Sequence, residues 1–243
     1  MPDALTSPPH RNPHDYDHRH SDVSGGWLRA AVFGAMDGLV TNIALIAGIG
    51  AAGAPRGTII LTGVAGLVAG AFSMALGEFT SVTTQNEQVD KEAAVERRAL
   101  ERNPEGEMYE LSGTFQQMGM SPETAAKAAE EVHDNPDRAL RVHVTHELGV
   151  DPESKPSPWI AAVSSFVMFS IGAVIPLLSF LFGDADLWLG LAIGGVGLLV
   201  AGGLAAYFTG KAWWRGALRQ LVFGAVAVAA TYAIGLLLGV DAG

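Results

Sequence analysis

The stretch Ala30-Ala-Val-Phe-Gly-Ala-Met-Asp-Gly-Leu-Val-Thr-Asn-Ile-Ala-Leu-Ile-Ala-Gly-Ile-Gly50 decides the fold. It is long and apolar enough to cross a bilayer, yet it carries the carboxylate Asp37. Insertion scales put an ionised side chain at the centre of a membrane helix roughly 2.5–3.5 kcal/mol uphill. A chain that accepts this cost needs the carboxylate to bind or relay something. The alternative sets Asp37 near the interface or at the cap of a neighbouring helix. A second carboxylate, Glu78, at a similar place in the next apolar segment favours the first reading.

The rest of the composition agrees with a membrane protein. Of 243 residues, 49% are hydrophobic and only 16% charged, below the quarter usual for soluble domains. The charges are dense from about 87 to 155 and sparse on either side. The division is therefore a polar arm over 1–25, membrane helices over 26–86, a soluble helical insert over 87–156 and further membrane helices over 157–243. The net charge of −10 argues against nucleic acid, which wants a basic face, and suits cations. With no cysteine, thiolate metal sites and thiol redox chemistry are excluded.

The arm holds His10, His14, His18 and His20, which read either as a metal-binding tract or as a solvated tail. It lacks the apolar core of a cleavable signal peptide. The first membrane helix is expected over 27–53, anchored by Trp27, and the second from near Thr58. Gly63, Gly66, Gly70 and Ala71 give the second a close-packing face. No proline or glycine interrupts 78–102, so this helix projects past the bilayer. Asn103-Pro104-Glu105, Ser121-Pro122-Glu123 and Asn135-Pro136-Asp137 each supply an N-cap, a first-turn proline and an acid. They open three short helices, the last ending at Gly149. Apolar segments near 158–182, 187–209 and 217–240 follow. Pro176 is expected to kink the third span, Asp184 and Asp186 to mark the next turn, and the segment 211–219 to join the last two helices.

Five spans place the termini on opposite sides. An inside N-terminus puts 14 of the 15 Lys and Arg residues inside and leaves only Arg56 outside, as the positive-inside rule asks. The insert is then cytoplasmic and the C-terminus outside.

Met74 and Glu78, four apart, share a helix face, and Asp37 lies at comparable depth. Thr41 and Asn42 are possible polar neighbours. Oxygen alone suits Mg²⁺ or Ca²⁺; an added thioether shifts preference toward a first-row transition ion, although Met74 also reads as packing. In the insert, Glu92 and Glu96 share a face, Glu107 and Glu110 are three apart, and His143 precedes Glu147 by one turn. Facing one another, such residues make a carboxylate-rich metal site; the alternative is wet acidic faces on amphipathic helices.

Phe33-Gly-Ala-Met-Asp-Gly-Leu-Val, Gly70-Ala-Phe-Ser-Met-Ala-Leu-Gly-Glu-Phe, Pro104-Glu-Gly-Glu-Met-Tyr-Glu-Leu and His146-Glu-Leu-Gly-Val together resemble the vacuolar iron transporter family, over about 24–240. The resemblance implies an all-α integral membrane protein: five transmembrane helices, a cytoplasmic three-helix insert between helices 2 and 3, and a homodimer with its path at the two-fold interface. It implies export of Fe²⁺, and of Mn²⁺ or other divalent ions, from the cytoplasm in exchange for protons. Asp37 and Met74 then match membrane-path ligands, Glu78 an acidic position just below them, and Glu96, Glu107, Glu110 and Glu147 insert ligands. Ala99 and Val144 depart from the pattern. His143 stands where some members have methionine and can serve as a nitrogen ligand.

The expected protein is a homodimeric, multi-pass antiporter with divalent metal ions, protons and the lipid bilayer as partners, no prosthetic group and no nucleic acid. Lack of cysteine and of organelle signals leans toward a prokaryotic cytoplasmic membrane. The rival readings are a membrane-anchored metal buffer or sensor and a structural scaffold. An enzyme is not expected, since no nucleophile–base set, phosphate loop or redox centre is visible.

Overall fold

A computed structural model of the protein describes residues 26–149, 151–152, 154–183 and 186–239. The histidines of the arm and Asp184 lie outside these residues. Among the described residues the regular structure is helical: α1 (Trp27–Ala51), α2 (Arg56–Arg102), α3 (Pro104–Gln117), α4 (Pro122–His133), α5 (Pro136–Leu148), α6 (Pro158–Val174), α7 (Leu178–Phe182), α8 (Leu187–Phe208) and α9 (Trp213–Gly239). Five stretches are long and apolar enough to span a membrane: α1, α2, the α6–α7 pair, α8 and α9. The short helices α3, α4 and α5 lie between the second and third spans.

Local chemistry sets these boundaries. Asn103, Ser121 and Asn135 accept the backbone N–H three residues on, from Gly106, Thr124 and Arg138 at 3.2, 3.3 and 3.0 Å. Each thereby satisfies an otherwise orphaned donor of the first turn. Ser157 does the same for Ile160 ahead of Pro158. Gly149 ends α5 at φ 66, a left-handed conformation that glycine adopts without strain. Pro176 lies in a 3₁₀ turn, Ile175–Leu177, that separates α6 from α7, because proline removes a helical donor and crowds the preceding turn. Arg56 donates to the carbonyl of Phe180 at 2.8 Å and so caps the C-terminal turn of α7.

Two expectations need correction. Only the first two residues of the segment 211–219 belong to the connection, since α9 already begins at Trp213. Arg215 and Arg219 ride on its first turns, where long side chains can reach the interface. The second correction concerns Asn42, whose hydrogen bond goes to α6 and not to Asp37. It is fully buried and donates to the carbonyl of Ala173 at 2.5 Å, tying α1 to α6.

The spans pack backbone to backbone. A Cβ on Gly38 would lie 2.2 Å from the carbonyl oxygen of Phe169, and one on Gly172 would lie 2.3 Å from that of Ala35. Close approach through small residues is how helices associate in lipid, where no hydrophobic force drives them together. Gly63 and Gly70 play the same part toward Leu177 and Phe169. The insert has its own small core of Leu111, Phe115, Ala125 and Ala129. It is tied to the membrane part by the chain itself and by Asn86, which donates to the carbonyl of Pro156 at 3.0 Å, with Lys155 paired to Asp90 nearby.

Candidate metal sites

The first site is a groove of about 260 Å³ between α1, α2 and α6, open to the protein surface. Asp37, Thr41, Met74 and Glu78 all line it, with Ser73 between them and Phe33 and Phe169 as apolar walls. Thr41 Oγ1 donates to Asp37 Oδ1 at 3.5 Å, one turn along the same face. The structure thus brings Asp37, Met74 and Glu78 to one cavity, large enough for several waters at about 30 Å³ each.

Glu78 is only 6% exposed and is not free. Arg29 Nη2 donates to its Oε2 at 2.7 Å. This pair, between residues 49 apart in sequence, escaped the sequence reading because no spacing rule links two separate helices. A buried carboxylate needs such a partner. The guanidinium does not lose its charge at physiological pH, so a metal ion approaching Glu78 meets a resident cation.

The second site lies where the projecting end of α2 meets α5. Glu96, His143 and Glu147 each offer a ligand atom, all within 4.8 Å of one another. Bonds of about 2 Å to nitrogen and oxygen put ligand atoms about 3–4 Å apart, so a small closure suffices. Glu107 Oε2 is 3.9 Å from His143 Nδ1. Glu110 is exposed but close enough to act on its neighbours' charge. Glu92 is not part of this group. Val144 is packing, fully buried.

The electrostatics are those of a crowded acidic site. Burial, then Glu147, Glu107 and Glu110, pushes the Glu96 carboxyl up to about 7. Desolvation, then Glu110 and Glu107, also raises Glu147. Burial, then His133 and His146, pushes His143 down to about 4. At neutral pH a neutral imidazole therefore faces a carboxyl still holding part of its proton. His143 Nε2 is buried without a hydrogen-bond partner, and Glu96 Oε1, although 3.0 Å from His143 Nδ1, is not aligned to accept a hydrogen bond from it. Such orphans cost roughly 1–3 kcal/mol each, a cost an ion would remove. Two oxygens and a nitrogen suit a first-row transition ion better than Mg²⁺ or Ca²⁺.

A bundle of five membrane-crossing helices, with carboxylates and a thioether in one groove and a carboxylate–imidazole cluster on a projecting helix, defines a multi-pass membrane protein of the ion-handling kind. The comparisons give the family. Residues 28–236 match the model of the VIT family, and the chain belongs to that family. It is 37% identical over 229 residues to the "Vacuolar iron transporter" of Acanthamoeba castellanii, covering 90% of this chain and 82% of the relative. It is 35% identical over 219 residues to "Vacuolar iron transporter homolog 1" of rice, Oryza sativa subsp. japonica, covering 88% and 74%. It is also 35% identical over 216 residues to "Vacuolar iron transporter homolog 3" of Arabidopsis thaliana, covering 88% and 84%. The chain is thus a member of a family of transporters and not an enzyme.

Proposed function

We propose that the protein moves Fe²⁺, and with it Mn²⁺ or related divalent ions, out of the cytoplasm in exchange for protons. The relatives' names supply iron. The observation that carries the rest is the convergence of Asp37, Met74 and Glu78 on one groove. A dication and protons compete for the same carboxylate oxygens there, which couples their movements in opposite directions.

The groove is open at the subunit surface, and carboxylates facing hydrocarbon are costly. A second copy across a two-fold axis would seal it and double the ligand set, which supports a homodimer with its path at the interface. In this reading the segment 87–156 is a cytoplasmic metal-binding unit that collects ions at Glu96, Glu107, Glu110, His143 and Glu147. The N-terminus is inside, the C-terminus outside, and the host is a prokaryotic cytoplasmic membrane. The test is Fe²⁺-driven proton movement in proteoliposomes. Asp37→Ala is expected to abolish it, and exchange at the wild-type rate in that variant sinks the proposal.

The insert cluster favours a second reading, a membrane-anchored metal buffer or sensor, because its ligands assemble away from the groove. That reading expects Asp37→Ala to be silent and Glu107→Ala with Glu110→Ala to abolish all metal response.

A further inference from the structure

A second cavity, of about 880 Å³, opens where α1 begins and where α8 hands over to α9. The charged side chains in its lining are all cationic, Arg29, Lys211, Arg215 and Arg219, with no carboxylate among them. Lys211, Arg215 and Arg219 have no ion-pair partner among the described residues; Arg215 lies over the ring of Trp214 at 5.2 Å. Its other wall is apolar, formed by Val32, Phe33, Met36 and Phe208. Exposed Trp27, Trp213 and Trp214 surround this end of the bundle, as tryptophans do at a membrane–water boundary.

Cations concentrated at one end of an apolar slot between membrane helices have the charge pattern of a phospholipid reversed: a phosphate would meet the cations and acyl chains the apolar wall. Basic pockets between transmembrane helices are where anionic headgroups dock. The geometry points to a site for an anionic phospholipid in this cavity, with Arg29 shared between the lipid phosphate and Glu78. Arg29 belongs to the cavity lining and at the same time donates Nη2 to Glu78. A guanidinium has five N–H donors in a planar fork, so one side chain can serve both acceptors, each weakening its hold on the other. Phe33 lines this cavity and the ion groove alike. Occupancy by lipid would therefore be felt at Glu78 through contiguous side chains.

The test is native mass spectrometry of the full chain in mild detergent, titrated with dioleoylphosphatidylglycerol or dioleoylphosphatidylcholine. Phosphatidylglycerol is expected to bind at least about tenfold more tightly, each basic residue near the headgroup adding to the attraction. The Lys211→Ala/Arg215→Ala/Arg219→Ala variant should lose that preference, and Lys211→Arg/Arg215→Lys/Arg219→Lys should restore it. Glu78→Gln should tighten phosphatidylglycerol binding about twofold or more by releasing Arg29. Should the triple alanine variant fail to fold, brominated phosphatidylglycerol should still quench wild-type tryptophan fluorescence more than brominated phosphatidylcholine. Equal binding of the two lipids by the wild type overturns the site. So does displacement of the lipid by millimolar inorganic phosphate, which would make this a free-anion site. Unchanged lipid affinity in Glu78→Gln overturns the sharing of Arg29.

Discussion

His143 Nδ1 stands 3.0 Å from Glu96 Oε1, in a pocket where His143 is 3% exposed and Glu96 8%. The Glu96 carboxyl is held up to about 7 and the imidazole down to about 4. Between pH 4 and 7 an arriving ion must therefore expel the Glu96 proton, while His143 is already neutral and gives up none. Ion affinity at the insert is expected to fall as pH drops through 7, approaching a tenfold loss per unit. Titration calorimetry in buffers of different ionisation enthalpy reads the released proton directly. Glu96→Gln should bind more weakly and show a flatter profile between pH 6 and 8; an unchanged slope would place the proton elsewhere.

The same carboxyl has the opposite effect on the ion-free fold. Its folded value lies above the ordinary 4.5, so its stability contribution is fully present below pH 4.5 and disappears as pH rises through 7. At pH 8 a buried charge remains. Glu96→Gln should melt higher than the wild type at pH 8 without metal, by on the order of 2 kcal/mol, and no higher near pH 4. Added Fe²⁺ under anaerobic conditions should reverse the order at pH 8, because it stabilises only the chain that binds it.

Arg29 guards Glu78. Its own side chain is 62% exposed, but the carboxylate it pairs with is buried, so Arg29→Ala leaves that carboxylate unsatisfied and should cost about 1–3 kcal/mol. The melting temperature should fall accordingly. The same substitution should lower the Fe²⁺ concentration needed for half-maximal uptake, since no resident cation competes for the carboxylate. A raised requirement would mean that Arg29 positions Glu78 for the ion instead of withholding it.

Gly38→Ala should be severe. Its new methyl would sit 2.2 Å from the Phe169 carbonyl oxygen, and neither backbone can yield without parting α1 from α6. Overpacking of this kind costs typically 1–3 kcal/mol and would shift Asp37, the adjacent residue. Gly77→Ala is the control: it too lines the ion groove, but nothing lies within 4 Å of the added atom. Thermal melting in detergent should separate the two.

The spans and caps were readable in the sequence because their causes are local. An unbroken apolar run, an Asn-Pro or Ser-Pro opening and a closing glycine each act within one turn. The shared groove of Asp37, Met74 and Glu78 was readable as well, since two helices joined by a short turn must lie side by side. The partner of Asn42, the carbonyl of Ala173 on α6, was not readable, because it depends on how two helices separated by the whole insert dock. α9 starts earlier than its apolar run suggests, because Arg215 and Arg219, cations at a membrane boundary, do not end a helix. The Arg29–Glu78 pair and the approach of His133 to His143, ring centroids 5.3 Å apart, depend on how separate helices dock. No periodicity carries that information.

The uninterrupted course of α2 has a last implication. Glu78 and Glu96 are eighteen residues apart on it, five full turns and about 27 Å at 1.5 Å per residue, so both carboxylates lie on one longitudinal line. Between them the line is stopped by Val82 and Val89, both buried, with Val82 wedged against Ala30 and Ala161. An ion bound at Glu96 would therefore have no wet track down this side of the rod. To meet the second glutamate it would have to step off into water, or onto another strut.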